Sequence, residues 1–272
     1  VGTQVKILVT NDDGIDSPGV WALAEAMSRI GETLLVAPDT QRSGSGTSVS
    51  MRSDTSIMEV PSATQGIHAY AVGGTPTDCV IVGLWRLAQG DIDLIVSGIN
   101  LGGNMGTDIL YSGTVMATLQ GFYRQIPSMA VSLAINGLEP QLSFDVASKV
   151  AELLALNMTN GAVPSHAILN VNVPSIPSEL VRGIAVTTAA SRSYVRLVAS
   201  QQDGRLGHSW SPQAAAELGI HEGTDIWAVS EGWISLTPLR PAVTDHDSIP
   251  ALAEHVPTLQ SDLQRAVLGG TD

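Results

Sequence analysis

Apolar residues along this chain fall into short runs separated by longer stretches with helical spacing. Val5–Thr10 (VKILVT) is rich in β-branched residues, the signature of a strand buried on both faces. Thr33–Ala37, Asp93–Ser97, Ser128–Ala134 and Ala167–Val173 repeat that texture. Ser17-Pro18 supplies an N-cap followed by a proline at the first helical position, predicting a helix to about Ile30. Thr75-Pro76 opens a second helix to about Ala88, Ser112 a third to about Tyr123, and Leu142–Asn157 has an amphipathic pattern. Thr55–Val60 and Ile67–Val72 read as strands of a more exposed excursion. Repeated strand–loop–helix units predict an α/β fold with a mostly parallel sheet and helices on both faces.

The texture changes near residue 183. Short β-like runs are predicted at Gly183–Thr188, Tyr194–Val198, Asp225–Val229 and Trp233–Leu236. They suggest a β-rich extension that serves subunit contact or covers the site. A last helix is predicted over Ser248–Val267. The expected organisation is a catalytic core over 1–180, the extension over 181–247 and a C-terminal helix over 248–272.

Composition narrows the function. The 272 residues are 44% hydrophobic and 14% charged, which excludes a disordered chain. A single cysteine, Cys79, cannot build a disulfide framework or a Cys-rich zinc site, and it is expected to pack as a small apolar residue. The formal charge is −13 and the only lysines are Lys6 and Lys149, which argues against long nucleic acids as partners. The chain shows neither a basic region followed by a signal-length apolar stretch nor a run of about 18 apolar residues. A cytoplasmic protein without a membrane span is expected.

In an open parallel sheet, ligands sit beyond the carboxyl ends of the strands. Three polar loops leave such ends here: Thr10–Gly14, Gln41–Ser48 and Ser97–Gly106. Asp12 and Asp13, adjacent at a strand end, repel each other unless something positive compensates, and Lys and Arg are scarce nearby. A divalent cation is the natural compensator, held by carboxylate, hydroxyl and amide oxygens suited to Mg²⁺, Mn²⁺ or Ca²⁺. The competing reading makes the pair a cap and turn before Gly14. The third loop leads to Tyr111-Ser112-Gly113-Thr114-Val115 at a helix start, where free N–H groups favour a phosphate, although Ser112 or Thr114 also suits an ordinary cap. Dinucleotide and P-loop glycine patterns are missing from the first strand–helix turn. Asp245-His246-Asp247 reads as a solvated loop.

These segments resemble the survival protein SurE family: ILVTNDDGIDSPG at 7–19, VAPDTQRSGSGTSVS at 36–50, GGTPTDCV at 73–80 and DLIVSGINLGGNMGTDILYSGTV at 93–115. The likeness extends to LNVNVP at 169–174 and GTDIWAVSEGWISLTPL at 223–239. It implies a Rossmann-like three-layer core and a metal-dependent phosphatase acting on nucleoside 5′-monophosphates, with 3′-nucleotides or short polyphosphate as further substrates. It implies Asp12, Asp13, Ser43 and Asn100 as ligands of one divalent cation, Mg²⁺ or Mn²⁺, with the Asp pair catalytic. It also implies a homodimer or homotetramer that exchanges the β-rich extension between subunits. Asn11, Asn104, Ser112, Gly113 and Thr114 are the expected phosphate or substrate contacts. Thr47 stands where the family often has His or Asn; it can donate a hydrogen bond but cannot act as a base near neutral pH. That departure keeps open a nucleotide-binding protein with little or no turnover.

Overall fold

The computed structural model describes residues 5–51, 54–135, 142–164, 167–193, 195–202, 205–212, 220–241 and 243–267. The chain divides into two compact units, Val1–Leu239 and Arg240–Asp272.

The first unit is built on β1 (Lys6–Thr10), β2 (Glu32–Pro38), β3 (Ile57–Val60), β4 (Ile67–Val72), β5 (Leu94–Leu101), β6 (Ser128–Ala134), β7 (Ile168–Pro174), β8 (Gly183–Val186) and β11 (Trp233–Leu239). They form one nine-stranded sheet in the order β3-β4-β2-β1-β5-β6-β7-β11-β8. The run from β4 to β7 is parallel throughout. β3 and β11 join its two sides antiparallel, and β8 then pairs parallel with β11.

Within the parallel run, chain order reverses at β1, whose neighbours are β2 and β5. This is the switch point at which doubly wound sheets open a crevice beyond the strand ends.

Alternation along the strands builds the layers. On one face, Ile7 and Val9 of β1 pack with Val20, Leu23 and Met27 of α1 (Pro18–Ser28) and Ala147 and Ala151 of α5 (Asp145–Thr159). On the other, Leu8 packs with Cys79 and Val80 of α2 (Pro76–Val82) and Ala117 of α3 (Gly113–Ala117). Cys79 is 0% exposed, and burial, helped by the charges of Asp78 and Asp39, pushes its thiol pKa far up.

Thr75 caps α2 through a full capping box with Asp78. The helix expected over 112–123 is two short pieces, α3 and α4 (Leu119–Phe122), meeting at Thr118, whose hydroxyl turns back to the Val115 carbonyl at 2.5 Å.

The expected extension is smaller than its sequence texture. Two of its β-like runs, β8 and β11, lie in the main sheet. β9 (Val195–Gln202) and β10 (Arg205–Pro212) form a separate antiparallel hairpin. The run expected as a strand at 225–229 is instead α6 (Asp225–Ser230), started by the Thr224 hydroxyl accepting from the Trp227 N–H. An apolar run as short as Ile226–Val229 does not distinguish a buried strand from a buried helical turn.

The second unit carries α7 (Ile249–Val267), with Pro257 inside it. Asp245, in the loop before it, is exposed and bonds the N–H groups of Asp247 and Ser248, as a solvated capping loop does. No helix among the described residues is long and apolar enough to cross a membrane.

Candidate active site

At the switch point β1 delivers its polar loop. The Asn11 side chain closes the turn from both ends, donating to the Gly14 carbonyl at 3.0 Å and accepting from the Gly14 N–H at 3.2 Å. Gly14 sits at φ +96, a backbone region that glycine enters freely. Asn11, expected at the phosphate, bonds Gly14 through both ends of its amide, and the turn it closes aims the two Asp residues.

Asp12 is 4% exposed and its Oδ1 accepts the hydroxyl of Thr114, itself fully buried. Thr114, expected at the phosphate, thus orients a carboxylate. Asp13 is half-buried; Oδ2 accepts the Leu101 N–H at 3.2 Å, while Gln41 approaches Oδ1 at 3.5 Å and also donates to Ser43 Oγ at 3.0 Å.

Asn100 follows a register shift in β5 between Gly98 and Asn100, an irregularity that re-aims the side chains after it. Its amide N–H is held by the Gly102 carbonyl at 2.8 Å, a bond that engages the nitrogen and not the oxygen. Gly113 lets α3 approach this centre, since a Cβ there would lie 2.9 Å from Asp12 Cβ and 2.6 Å from Ser45 Oγ.

Asp12, Asp13, Ser43, Asn100, Asn104 and Ser112 line one cavity of about 720 Å³. Gln41, Gly44, Leu101, Gly103, Thr107, Asp108, Tyr111, Ser193 and Val195 also line it. That volume suits a small-molecule ligand of ordinary size. Sequence reasoning did not single out Gln41 or the pair Ser193 and Val195. Gln41 lies inside a loop already flagged, two residues before Ser43, but Ser193 and Val195 reach the cavity only through long-range folding.

Charge at this end is unbalanced. Burial raises the pKa of both Asp12 and Asp13, and for Asp12 the charge of Asp13 adds to it. None of the ion pairs among the described residues includes either carboxylate. Two carboxylates, a hydroxyl and an amide oxygen fit a hard divalent cation. Among the described residues no cluster of three or more His, Cys, Asp or Glu forms, so the softer zinc-type donor set is not what these residues offer.

A carboxylate whose pKa rises on folding favours the folded state while protonated, and that contribution is lost as pH climbs through the raised value. The contribution of the Asp12–Asp13 pair to the thermal stability of the metal-free protein is therefore expected to fall as pH rises above the ordinary Asp value of 3.8. Asp12→Asn should flatten that fall. Melting curves in chelator across this range check it; the same slope in the variant would contradict it.

A network of polar contacts fixes the loop after β5. Asn104 N–H donates to Asn172 Oδ1 at 2.8 Å, and its carbonyl accepts from Asn170 and Asn172 at 2.8 and 3.0 Å. Asn104 Nδ2 donates to Ser132 Oγ at 2.8 Å. Asp225, fully buried at the start of α6, accepts N–H bonds from Gly106, Ala190 and Ile226 at 2.8 to 2.9 Å. Beside it, Thr107 N–H donates to the Arg192 carbonyl at 3.1 Å.

The family model described as Survival protein SurE matches residues 7–196. The chain belongs to the SurE family. It is similar to proteins named 5′-nucleotidase SurE. The one from Dehalococcoides mccartyi strain CBDB1 is 40% identical over 236 residues, 87% of this chain and 89% of that protein. The one from Geobacter metallireducens is 40% identical over 249 residues, 91% and 96% of the two chains. Among solved structures, the SurE protein from Aquifex aeolicus matches with a TM-score of 0.75 at 33% identity, covering 90% of this chain and 97% of that one. The α/β architecture and the family agree with the resemblance carried by the strand-end motifs.

Proposed function

We propose that this SurE-family chain is a divalent-metal-dependent phosphomonoester hydrolase that releases phosphate from nucleoside 5′-monophosphates. The observation that carries the reading is the pair of buried carboxylates at the switch point, facing a 720 Å³ cavity with no cation partner among the described ion pairs. The names and high coverage of the relatives support the substrate class. Binding without turnover is the weaker reading, because a passive phosphate site would be expected to use Lys, Arg or N–H donors rather than a buried acidic pair.

Asp12, Asp13, Ser43 and Asn100 would hold the cation, with Mg²⁺ or Mn²⁺ as the proposed metals. When bound, it supplies positive charge to a phosphate oxygen and acidity to water. The chain's own residues do the rest. Thr114 keeps Asp12 in one orientation by donating to Oδ1. Leu101 N–H and Gln41 do the same for Asp13, the less buried of the two and so the better placed to orient a water and take its proton. Water then adds to phosphorus as the nucleoside 5′-oxygen departs, taking up a proton. Ser112 and Asn104, which line the same cavity, are the proposed contacts for the remaining phosphate oxygens. A cytoplasmic location and a homodimer or homotetramer with exchanged extensions belong to the same proposal.

Phosphate release from AMP is expected to stop in excess chelator and to return on adding Mg²⁺ or Mn²⁺. Undiminished release in chelator would overturn the proposal. A panel of 5′- and 3′-nucleotides and short polyphosphate, run with each metal, ranks the substrates.

A further inference from the structure

The cavity has two chemically different ends. Asp12, Asp13, Ser43 and Asn100 gather at the end described above. Another part of the lining is Thr107, Asp108, Tyr111, Ser193 and Val195, which bring an aromatic ring, an aliphatic side chain, the Thr107 and Ser193 hydroxyls and one carboxylate. Among the described residues no Lys or Arg lines it, and the Asp108 carboxylate repels an anion, so phosphate is disfavoured there. A neutral ribose and base match such a wall.

That wall is assembled from two segments far apart in sequence, and Asp108 joins them. Its Oδ1 accepts the Ser193 hydroxyl at 2.6 Å, and its Oδ2 accepts the Val195 N–H at 3.1 Å. An isolated bridge between Gly106 and Ser193 runs alongside. Ser193 and Val195 lead into β9, so the same carboxylate also anchors the root of the β9–β10 hairpin.

We propose that Asp108 is a positioning residue for nucleoside selectivity, acting by holding Ser193 and Val195 as the wall against which the ribose and base lie. The inference rests on the nucleotidase reading above and adds which end of the cavity takes the nucleoside and what fixes its shape. Hydrogen bonds to a carboxylate are among the stronger kinds, so releasing those to Ser193 and Val195 loosens the wall without touching the acidic pair.

The test uses the full chain, saturated with Mg²⁺ or Mn²⁺, and compares AMP with 4-nitrophenyl phosphate, which has no ribose or base. In Asp108→Ala the ratio of kcat/KM for AMP to that for 4-nitrophenyl phosphate is expected to fall about tenfold, mostly through the KM for AMP. Asp108→Asn keeps one acceptor oxygen and should recover part of the ratio. Ser193→Ala, which removes the hydroxyl's bond to Asp108 together with its contacts to the Val195 carbonyl and N–H, should also lower the ratio. An unchanged ratio in all three variants, whether both activities drop together or neither moves, would overturn the proposal. A wild-type protein that releases no phosphate from either compound with metal present would instead overturn the nucleotidase reading, and this inference with it.

Discussion

Asp12→Asn is expected to lower phosphate release from AMP by on the order of 10³-fold while raising the melting temperature of the metal-free protein. The two effects have one cause. The carboxylate is buried at 4% exposure beside Asp13, so as a free group it opposes folding. An amide of the same shape still accepts the Thr114 hydroxyl through Oδ1 but carries no charge to balance a cation. Function and stability therefore pull in opposite directions at this residue, as they do where active sites are kept at a cost to the fold. Turnover assays beside melting curves in chelator read both signs. Retained activity, or a melting temperature that falls, would sink the account of Asp12 as a strained charge awaiting a metal.

Gly113→Ala should cost about 100-fold in kcat/KM through displacement of Asp12, since misplacing a reacting group by roughly 1 Å has that scale of effect. The added methyl would meet Ser45 Oγ at 2.6 Å and Asp12 Cβ at 2.9 Å. Ser45 Oγ is the end of a short side chain and can rotate aside. Asp12 Cβ is attached to the backbone of a turn that Asn11 and Gly14 lock, so it moves only if the turn moves. The double variant Ser45→Ala with Gly113→Ala separates these contacts. It should recover little of the activity if Asp12 is the decisive neighbour. Full activity in Gly113→Ala alone would show that the turn yields and that the close approach of α3 is not needed.

Much of this architecture can be read in the chain before folding. β1 and β5 are continuous apolar runs, so their ends are visible, and a polar loop at each end marks the crevice. Residue type marks Asp12 and Asp13 as a charged pair in need of a cation, while Ser43 and Asn100 are marked only by the resemblance to the SurE family. Type does not reveal partnership, however. Asn11 and Thr114 have the right groups for phosphate, but the folded chain commits one to Gly14 and the other to Asp12. Ser193 and Val195 carry no local signature at all, because the contact that matters spans 85 and 87 residues to Asp108. Asp225–Val229 has the texture of a strand but folds as a helix, although Thr224 ahead of it is a recognisable helix cap. β8 and β11 look like an extension in sequence and become sheet only because β7 offers an open edge.

Cys79 lies under the sheet's second face, fully buried, with a thiol held in its protonated form. Alkylating reagents attack the thiolate, so the folded protein shields this sulfur twice over. The chain thus carries its own single-site clock. Under rapid reclosing, the rate at which a reagent consumes Cys79 reports the fraction of molecules in which the α2 layer has lifted from β1 and β2, and so the free energy of the opening. Comparing the clock with and without metal would tell how far an ion at one end of the sheet steadies a helix beneath it.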